Sequence, residues 1–222
     1  MSQKLWSAVD EYIAGHLVPA DAALDGALRA SEAAGLPAIN VASTHGKLLM
    51  MLAMVRGAKR ILEIGTLGGY STIWLARALP ADGRLVTLEY EPRHAEVARA
   101  NLDAAGLIDK VKIRIGAARD TLKAMEGEGT EPFDMVFIDA DKPSNPHYIA
   151  GALRFSRPGT LIIVDNVIRD GAIVDGLNDD PRVYGARSVF EIFGAEPRVV
   201  ATALQTVGVK GYDGFAVALV VE

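Results

Sequence analysis

The chain contains no cysteine. That excludes disulfides, thiolate chemistry and cysteine-bound zinc, and it suits a reducing compartment, so a cytoplasmic location is expected. Basic runs are also missing. Lysine and arginine are scattered through the helical stretches, the net charge is −5, and no basic patch with interleaved aromatics occurs, so nucleic acid is not expected as a partner. The N-terminal stretch MSQKLWSAVDEYIAGHL is interrupted by Asp10, Glu11 and His16. It therefore reads as neither a signal peptide nor a span, and no membrane partner is expected. No repeat, low-complexity segment or linker divides the 222 residues, a length that fits one α/β domain with an appendage. Half of the residues are hydrophobic, enough to fill one large core.

From about residue 60 onward, short apolar runs alternate with amphipathic stretches. The runs are RILEIG (60–65), RLVTLE (84–89), VKIRIG (111–116), DMVFID (134–139) and TLIIVD (160–165). Helical spacing appears between them, as in YSTIWLARAL (70–79) and RHAEVARANLDAAG (93–106), the latter closed by Gly106. Runs apolar on both faces and separated by helices predict parallel strands covered on both sides. The expected fold is a doubly wound, Rossmann-like α/β sheet, mostly parallel, whose ligands sit beyond the carboxyl ends of the strands. A helix is expected at about 182–194, then the runs RVVATALQTV and GFAVALVVE, joined by the turn-rich GVKGYDG. The last strand should be antiparallel to its neighbour, as a reversed edge strand. Residues 1–58 read as a helical N-terminal cap, with Leu5, Val9, Tyr12 and Ile13 on one helix face, and residues 59–222 as the α/β core of a single domain.

LEIGTLGGYST (62–72) is a strand, a glycine-rich turn and a helix start. Gly65 allows a sharp turn, while Gly68 and Gly69 would let backbone come close to a ligand, with Ser71 near the first helical turn. The spacing misses the second glycine of G-x-G-x-x-G, and no lysine follows as in a P-loop, which disfavours dinucleotides and nucleoside triphosphates. Glu89 ends the second strand, where a carboxylate can accept both hydroxyls of a ribose. By itself it reads better as a solvated helix-start acid. Together with polar ends on the fourth and fifth strands, it indicates a nucleoside-bearing cofactor.

Those polar ends are abrupt. Val136, Phe137 and Ile138 give way to Asp139, Asp141 and Lys142, and LIIV (161–164) gives way to Asp165 and Asn166. Taken in order, LEIGTLGGYSTIWLA, LEYEP, IGAARDTL, FDMVFIDADK and LIIVDNV resemble the cation-dependent, S-adenosylmethionine-dependent O-methyltransferases, which include caffeoyl-coenzyme-A and catechol O-methyltransferases. The resemblance runs from INVASTHGKLL (39–49) to the C-terminal hairpin. It implies a class I methyltransferase sheet and S-adenosylmethionine as cofactor, bound by Val41, Glu63, Gly65, Thr66, Gly69, Ser71, Glu89, Ala118 and Asp139. It also implies Mg²⁺, or another divalent cation such as Mn²⁺ or Ca²⁺, on Asp139, Asp165 and Asn166. Lys142 would be the general base beside Asp139, the acceptor a small aromatic with vicinal hydroxyls, and the assembly a homodimer.

Asp139, Asp165 and Asn166 offer only oxygen donors, the set a hard divalent cation prefers. A free lysine has a pKa near about 10.4, so Lys142 would need a depressed value to act as a base; a cation and a sulfonium nearby both push that way. Each residue alone has a duller reading. Asp165-Asn166 could cap the next helix, and Lys142 could be a surface lysine. His45 and His147 have no second histidine at ligand spacing, and His45 is expected to line the cofactor pocket. Trp74 and the Met50, Met51 and Met54 group read as packing, while Tyr12, Tyr148 and Tyr212 are candidates for stacking on substrate.

Relatives commonly carry tyrosine where this chain has Asn145 and tryptophan where it has Arg169, both expected near the acceptor mouth. The stretch VKGYDGF is longer than the family's short turn and is expected to help close the pocket. A nicotinamide-dependent oxidoreductase has only the architecture and Glu89 in its favour. A non-catalytic S-adenosylmethionine-binding protein would have no use for Asp139, Lys142, Asp165 and Asn166 together.

Overall fold

The computed structural model describes residues 2–222. Three helices come first: α1 (Gln3–Leu17), α2 (Ala22–Ala33) and α3 (Ser43–Arg56). Asp21 caps α2 by accepting hydrogen bonds from the Ala23 and Leu24 amides, satisfying donors that a helix start leaves open. α3 stops at Gly57, in the left-handed conformation. Strand and helix then alternate through β1 (Arg60–Ile64), α4 (Tyr70–Arg77), β2 (Arg84–Glu89), α5 (Pro92–Ala104), β3 (Val111–Ile115), α6 (Ala118–Gly127), β4 (Met135–Ile138), α7 (Asn145–Arg154), β5 (Leu161–Asp165) and α8 (Pro181–Ala195). A hairpin of β6 (Val199–Gly208) and β7 (Gly211–Val220) ends the chain.

The sheet order is β3-β2-β1-β4-β5-β7-β6, parallel through its first five strands. β7 runs antiparallel to both β5 and β6. The reversed strand therefore lies inside the sheet, and β6 forms the edge, which corrects the expectation of a reversed edge strand. The burial pattern gives the reason: β7 is largely buried, whereas β6 is exposed along most of its length. A strand apolar on both faces belongs where both faces are covered. The connecting turn is also tighter than expected, because Tyr212 and Asp213 already belong to β7.

Successive side chains of each central strand enter opposite cores. On β4, Met135 and Phe137 pack with α3 and α4, while Val136 and Ile138 pack with α6 and α7. All four are fully buried, and burial of each such side chain is worth roughly 1.5–3 kcal/mol. Trp74 lies in the first core. α1 differs, since none of its residues is buried. Leu5, Val9, Tyr12, Ile13 and Leu17 form an apolar set left open to solvent, so the sequence signalled the helix while its face finds no full cover among the described residues. Met51 and Met54 on α3 are exposed too.

Consecutive strands run outward from β1 to β3, and the chain then returns to place β4 beside β1. The carboxyl ends of β1 and β4 thus flank the reversal point, where ligands of open α/β sheets bind.

Candidate active site

A cavity of about 1120 Å³ opens at that point. Its floor is the turn after β1 together with the ends of β2 and β4. Part of its wall is α2 and the segment 36–41, and its far side holds Lys142, Tyr148, Asn166, Arg169 and Arg182. Of the residues expected from the sequence, Val41, Gly65, Thr66, Ser71, Glu89, Ala118, Asp139, Lys142 and Asn166 line this one cavity. Glu63 and Gly69 stand behind it, and Asp165, with 9% of its side chain exposed, is not among its lining residues.

The glycine turn is built by contacts within the protein. Gly65 has φ 99°, and a Cβ there would overlap the backbone carbonyl of Asp139. β1 and β4 thus come together at their ends, and Asp139 N–H donates to the Ile64 carbonyl at 2.8 Å. A Cβ on Gly68 would meet the Ser31 hydroxyl of α2. Gly68 lines the cavity and also lies against the helical cap. Glu89 accepts from the amides of Thr66 and Leu67 on Oε2, at 3.1 and 2.7 Å, and from Glu91 N–H on Oε1 at 3.0 Å. It shapes the turn as well as facing the cavity.

Glu63 is fully buried beneath the turn. It accepts hydrogen bonds from the hydroxyls of Ser71 at 2.7 Å, Thr72 at 2.6 Å and Thr87 at 2.7 Å. Burial pushes its carboxyl up to about 7 against the pull of those three donors. Any contribution it makes to the cavity passes through Ser71.

On the other side, Lys142 Nζ donates to Asp139 Oδ1 at 2.9 Å, and the lysine is almost wholly buried. Lys142 is the first residue of a short 3₁₀ helix, Lys142–Ser144, with Pro143 in its first turn. Asp165 ends β5, and its Oδ1 accepts from Asn166 N–H at 2.8 Å. Burial, with the Asp139 charge next in weight, pushes the Asp165 carboxyl up to about 8. Asn166 has the left-handed φ of 56°, and its side chain makes no hydrogen bond with any described residue. Among the described residues no three of histidine, cysteine, aspartate and glutamate converge as a metal cluster. The set here is two mutually repelling carboxylates and one amide, all oxygen donors. That fits a hard divalent cation, which would offset the repulsion.

Several expectations need correcting. His45 does not line the cavity; it stacks on Phe215 with ring centroids 5.2 Å apart, and its Nδ1 lies 3.6 Å from Asp165 Oδ2. Burial holds its pKa below the ordinary histidine value. Asn145 is fully buried and donates to the Gly185 carbonyl at 3.1 Å, so it is absent from the acceptor mouth. Arg169 is present there. Tyr148 lines the cavity with its hydroxyl donating to Asp141, Tyr12 is exposed, and Tyr212 donates to Gln205.

The family model for O-methyltransferases matches residues 20–217. The chain belongs to this family. The O-methyltransferase is 54% identical over 220 residues to the catechol O-methyltransferase of Niastella koreensis, spanning 99% of this chain and 100% of that relative. Among solved structures, it resembles the O-methyltransferase of Bacillus cereus in complex with SAH, at TM-score 0.97 and 54% identity, over 99% of this chain and 100% of that one. It also resembles TomG of Streptomyces achromogenes in complex with SAM, at TM-score 0.96 and 50% identity, over 100% of both chains.

The VKGYDGF stretch, expected to help close the pocket, fastens two segments that border the cavity. Asp213 Oδ1 accepts from the amides of Ile168 and Arg169 at 2.9 and 3.0 Å, fixing the loop after Asn166. Lys210 Nζ donates to the Ala38 carbonyl at 2.9 Å, which ties the hairpin turn to the wall segment. The sequence pointed to the stretch but not to the partners it would fasten.

Proposed function

We propose that the chain transfers the methyl group of S-adenosylmethionine to one hydroxyl of a vicinal dihydroxy aromatic. The observation that carries this reading is the double role of Asp139. Its backbone closes against Gly65 in the glycine turn, while its side chain holds Lys142. One residue thus joins a nucleoside-binding half to a proton-handling half, and alignment of two reactants in one cavity is a large source of rate. Similarity to the catechol O-methyltransferase of Niastella koreensis supports the acceptor class, and similarity to the SAH and SAM complexes supports the methyl donor.

In this reading Glu89 faces the ribose, and Val41, Gly65, Thr66, Ser71 and Ala118 line the rest of the donor site, with Glu63 and Gly69 supporting them from behind. Lys142 Nζ takes the proton of the acceptor hydroxyl, with Asp139 orienting it. The freed oxygen attacks the methyl carbon in line with sulfur; an O–C bond forms, the S–C bond breaks, and the sulfonium leaves as a neutral thioether. Asp139, Asp165 and Asn166 would hold a divalent cation, Mg²⁺ first among them, which when bound makes the acceptor hydroxyl more acidic and fixes its orientation.

Methyl transfer from labelled S-adenosylmethionine to a panel of catechols tests the reading. EDTA and Asp165→Ala should each reduce product at least about a hundredfold. Mg²⁺ should raise the melting temperature of the wild type and leave that of Asp165→Ala unmoved. A rate indifferent to EDTA would remove the cation from the mechanism.

The same reading makes the protein a homodimer and places it in the cytoplasm. The open apolar face of α1, which packs beside the exposed edge strand β6 with its Val200, Leu204 and Val207, favours a second copy as its cover. The lack of cysteine favours the compartment. No described helix is long and apolar enough to cross a membrane.

A further inference from the structure

We propose that Arg169 and Arg182 form an anion-recognising subsite at the acceptor end of the cavity, so that the preferred acceptor is a catechol bearing a carboxylate. This rests on the catechol reading above and narrows it.

Both arginines line the cavity. Arg169 sits at φ 54° and Asp170 at φ 55°, consecutive left-handed residues that are not glycine. Such a conformation persists only when its surroundings enforce it. Here Asp213 does so, receiving the amides of Ile168 and Arg169 on one oxygen together with that of Gly214 at 3.0 Å. The guanidinium delivered by this loop has no hydrogen-bond acceptor among the described residues. Its Nε is buried and unpartnered, and its Nη1 is 3.7 Å from Asp213 Oδ2, too far for a hydrogen bond. The rest of the side chain is 28% exposed and lines the cavity, so its Nη groups are the donors a ligand there can reach.

Arg182 arrives from the first turn of α8. Its Nε and Nη2 grip Asp180 at 2.6–3.1 Å, while Nη1 has no such bond. Asp180 is held down to about 2, chiefly by Arg182, and the Arg169 charge acts in the same direction, so the two guanidinium groups share one neighbourhood. The loop between them is pinned. Arg187 donates to the carbonyls of Ile173 at 2.9 Å, Ala172 at 3.3 Å, Asn178 at 3.4 Å and Asp175. Contrast decides the matter: Arg187 is saturated by backbone, whereas Arg169 is held in a strained loop with its donors unused. Asp141, an acid that lines the same cavity, accepts from the hydroxyls of Tyr148 and Ser144. A planar guanidinium with free N–H groups matches a carboxylate best.

The test compares kcat/KM for 3,4-dihydroxybenzoate with that for its neutral isostere 3,4-dihydroxybenzamide. The wild type should favour the carboxylate about tenfold or more, the scale of a charge-assisted hydrogen bond. Arg169→Gln should bring the ratio close to one, Arg182→Gln should lower it, and Arg169→Lys should keep part of it. A wild-type ratio near one, or a ratio unmoved in Arg169→Gln, overturns the proposal. If neither compound is methylated, the catechol reading fails by itself, and calorimetry on the protein loaded with S-adenosylhomocysteine then decides the subsite. Tighter binding of the carboxylate, lost in Arg169→Gln, supports it, and equal binding of both compounds overturns it.

Discussion

Gly185 of α8 lies against the backbone carbonyl of Lys142 with no room for a Cβ between them. The position of the lysine is therefore set from α8 as much as from β4. Gly185→Ala must push the Lys142–Ser144 turn away from Asp139. A displacement of about 1 Å at a reacting group can cost on the order of a hundredfold in rate, so kcat should fall by that order. Affinity for S-adenosylhomocysteine should change little, because the glycine turn is untouched. Calorimetry beside steady-state kinetics checks both halves, and an unchanged kcat would show that α8 does not position the base.

Removing the amine itself should cost more specifically. Lys142→Met is expected to lower kcat by about 10²–10⁴, the usual scale for a lost general base. Lys142→Arg should not restore it, because a guanidinium cannot give up its proton. Full activity in the arginine variant would reduce the role of Lys142 to charge alone.

Glu63 predicts a pH effect on stability. Its folded pKa of about 7 lies above the unfolded value of 4.5. A group raised in this way contributes fully below the unfolded pKa, and its contribution is lost as pH rises through the folded one. Between pH 4.5 and pH 7 the ligand-free protein should lose a few kcal/mol through this residue, by the roughly 1.4 kcal/mol that accompanies each pKa unit. In denaturant melts Glu63→Gln, which mimics the neutral carboxyl, should match the wild type near pH 4.5 and exceed it increasingly as pH rises. Parallel curves would mean that the three hydroxyls keep Glu63 ionised throughout.

Much of this was legible in the sequence. Five apolar runs ending in polar residues gave the parallel strands, and their ends gave the cavity, because a period-two apolar run and its terminus are local signals. The position of β7 was not legible, since burial of a strand on both faces depends on which neighbours are present. His45 and Asn145 were misplaced for a similar reason. Both lie one layer behind the cavity, held by Phe215 and by the Gly185 carbonyl, partners far away in the chain. Gly185 and Asp213 act through backbone contacts that no residue type announces.

The hairpin has a consequence for the order in which the site comes into being. Val167 N–H bonds to the Gly214 carbonyl, Ile168 and Arg169 to Asp213, and the wall segment to Lys210. Gln3 and Asp10 of α1 fasten on the same turn, at Gly208 and Val209. Residues 208–214 are made on the ribosome after everything else that borders the cavity, yet they tie down both the segment 36–41 and the loop carrying Asn166 and Arg169. A nascent chain can therefore complete β1 through β5 and still lack a fixed binding site. Competence to bind awaits the final strand, which pairs with β5 and holds β6 at its outer edge.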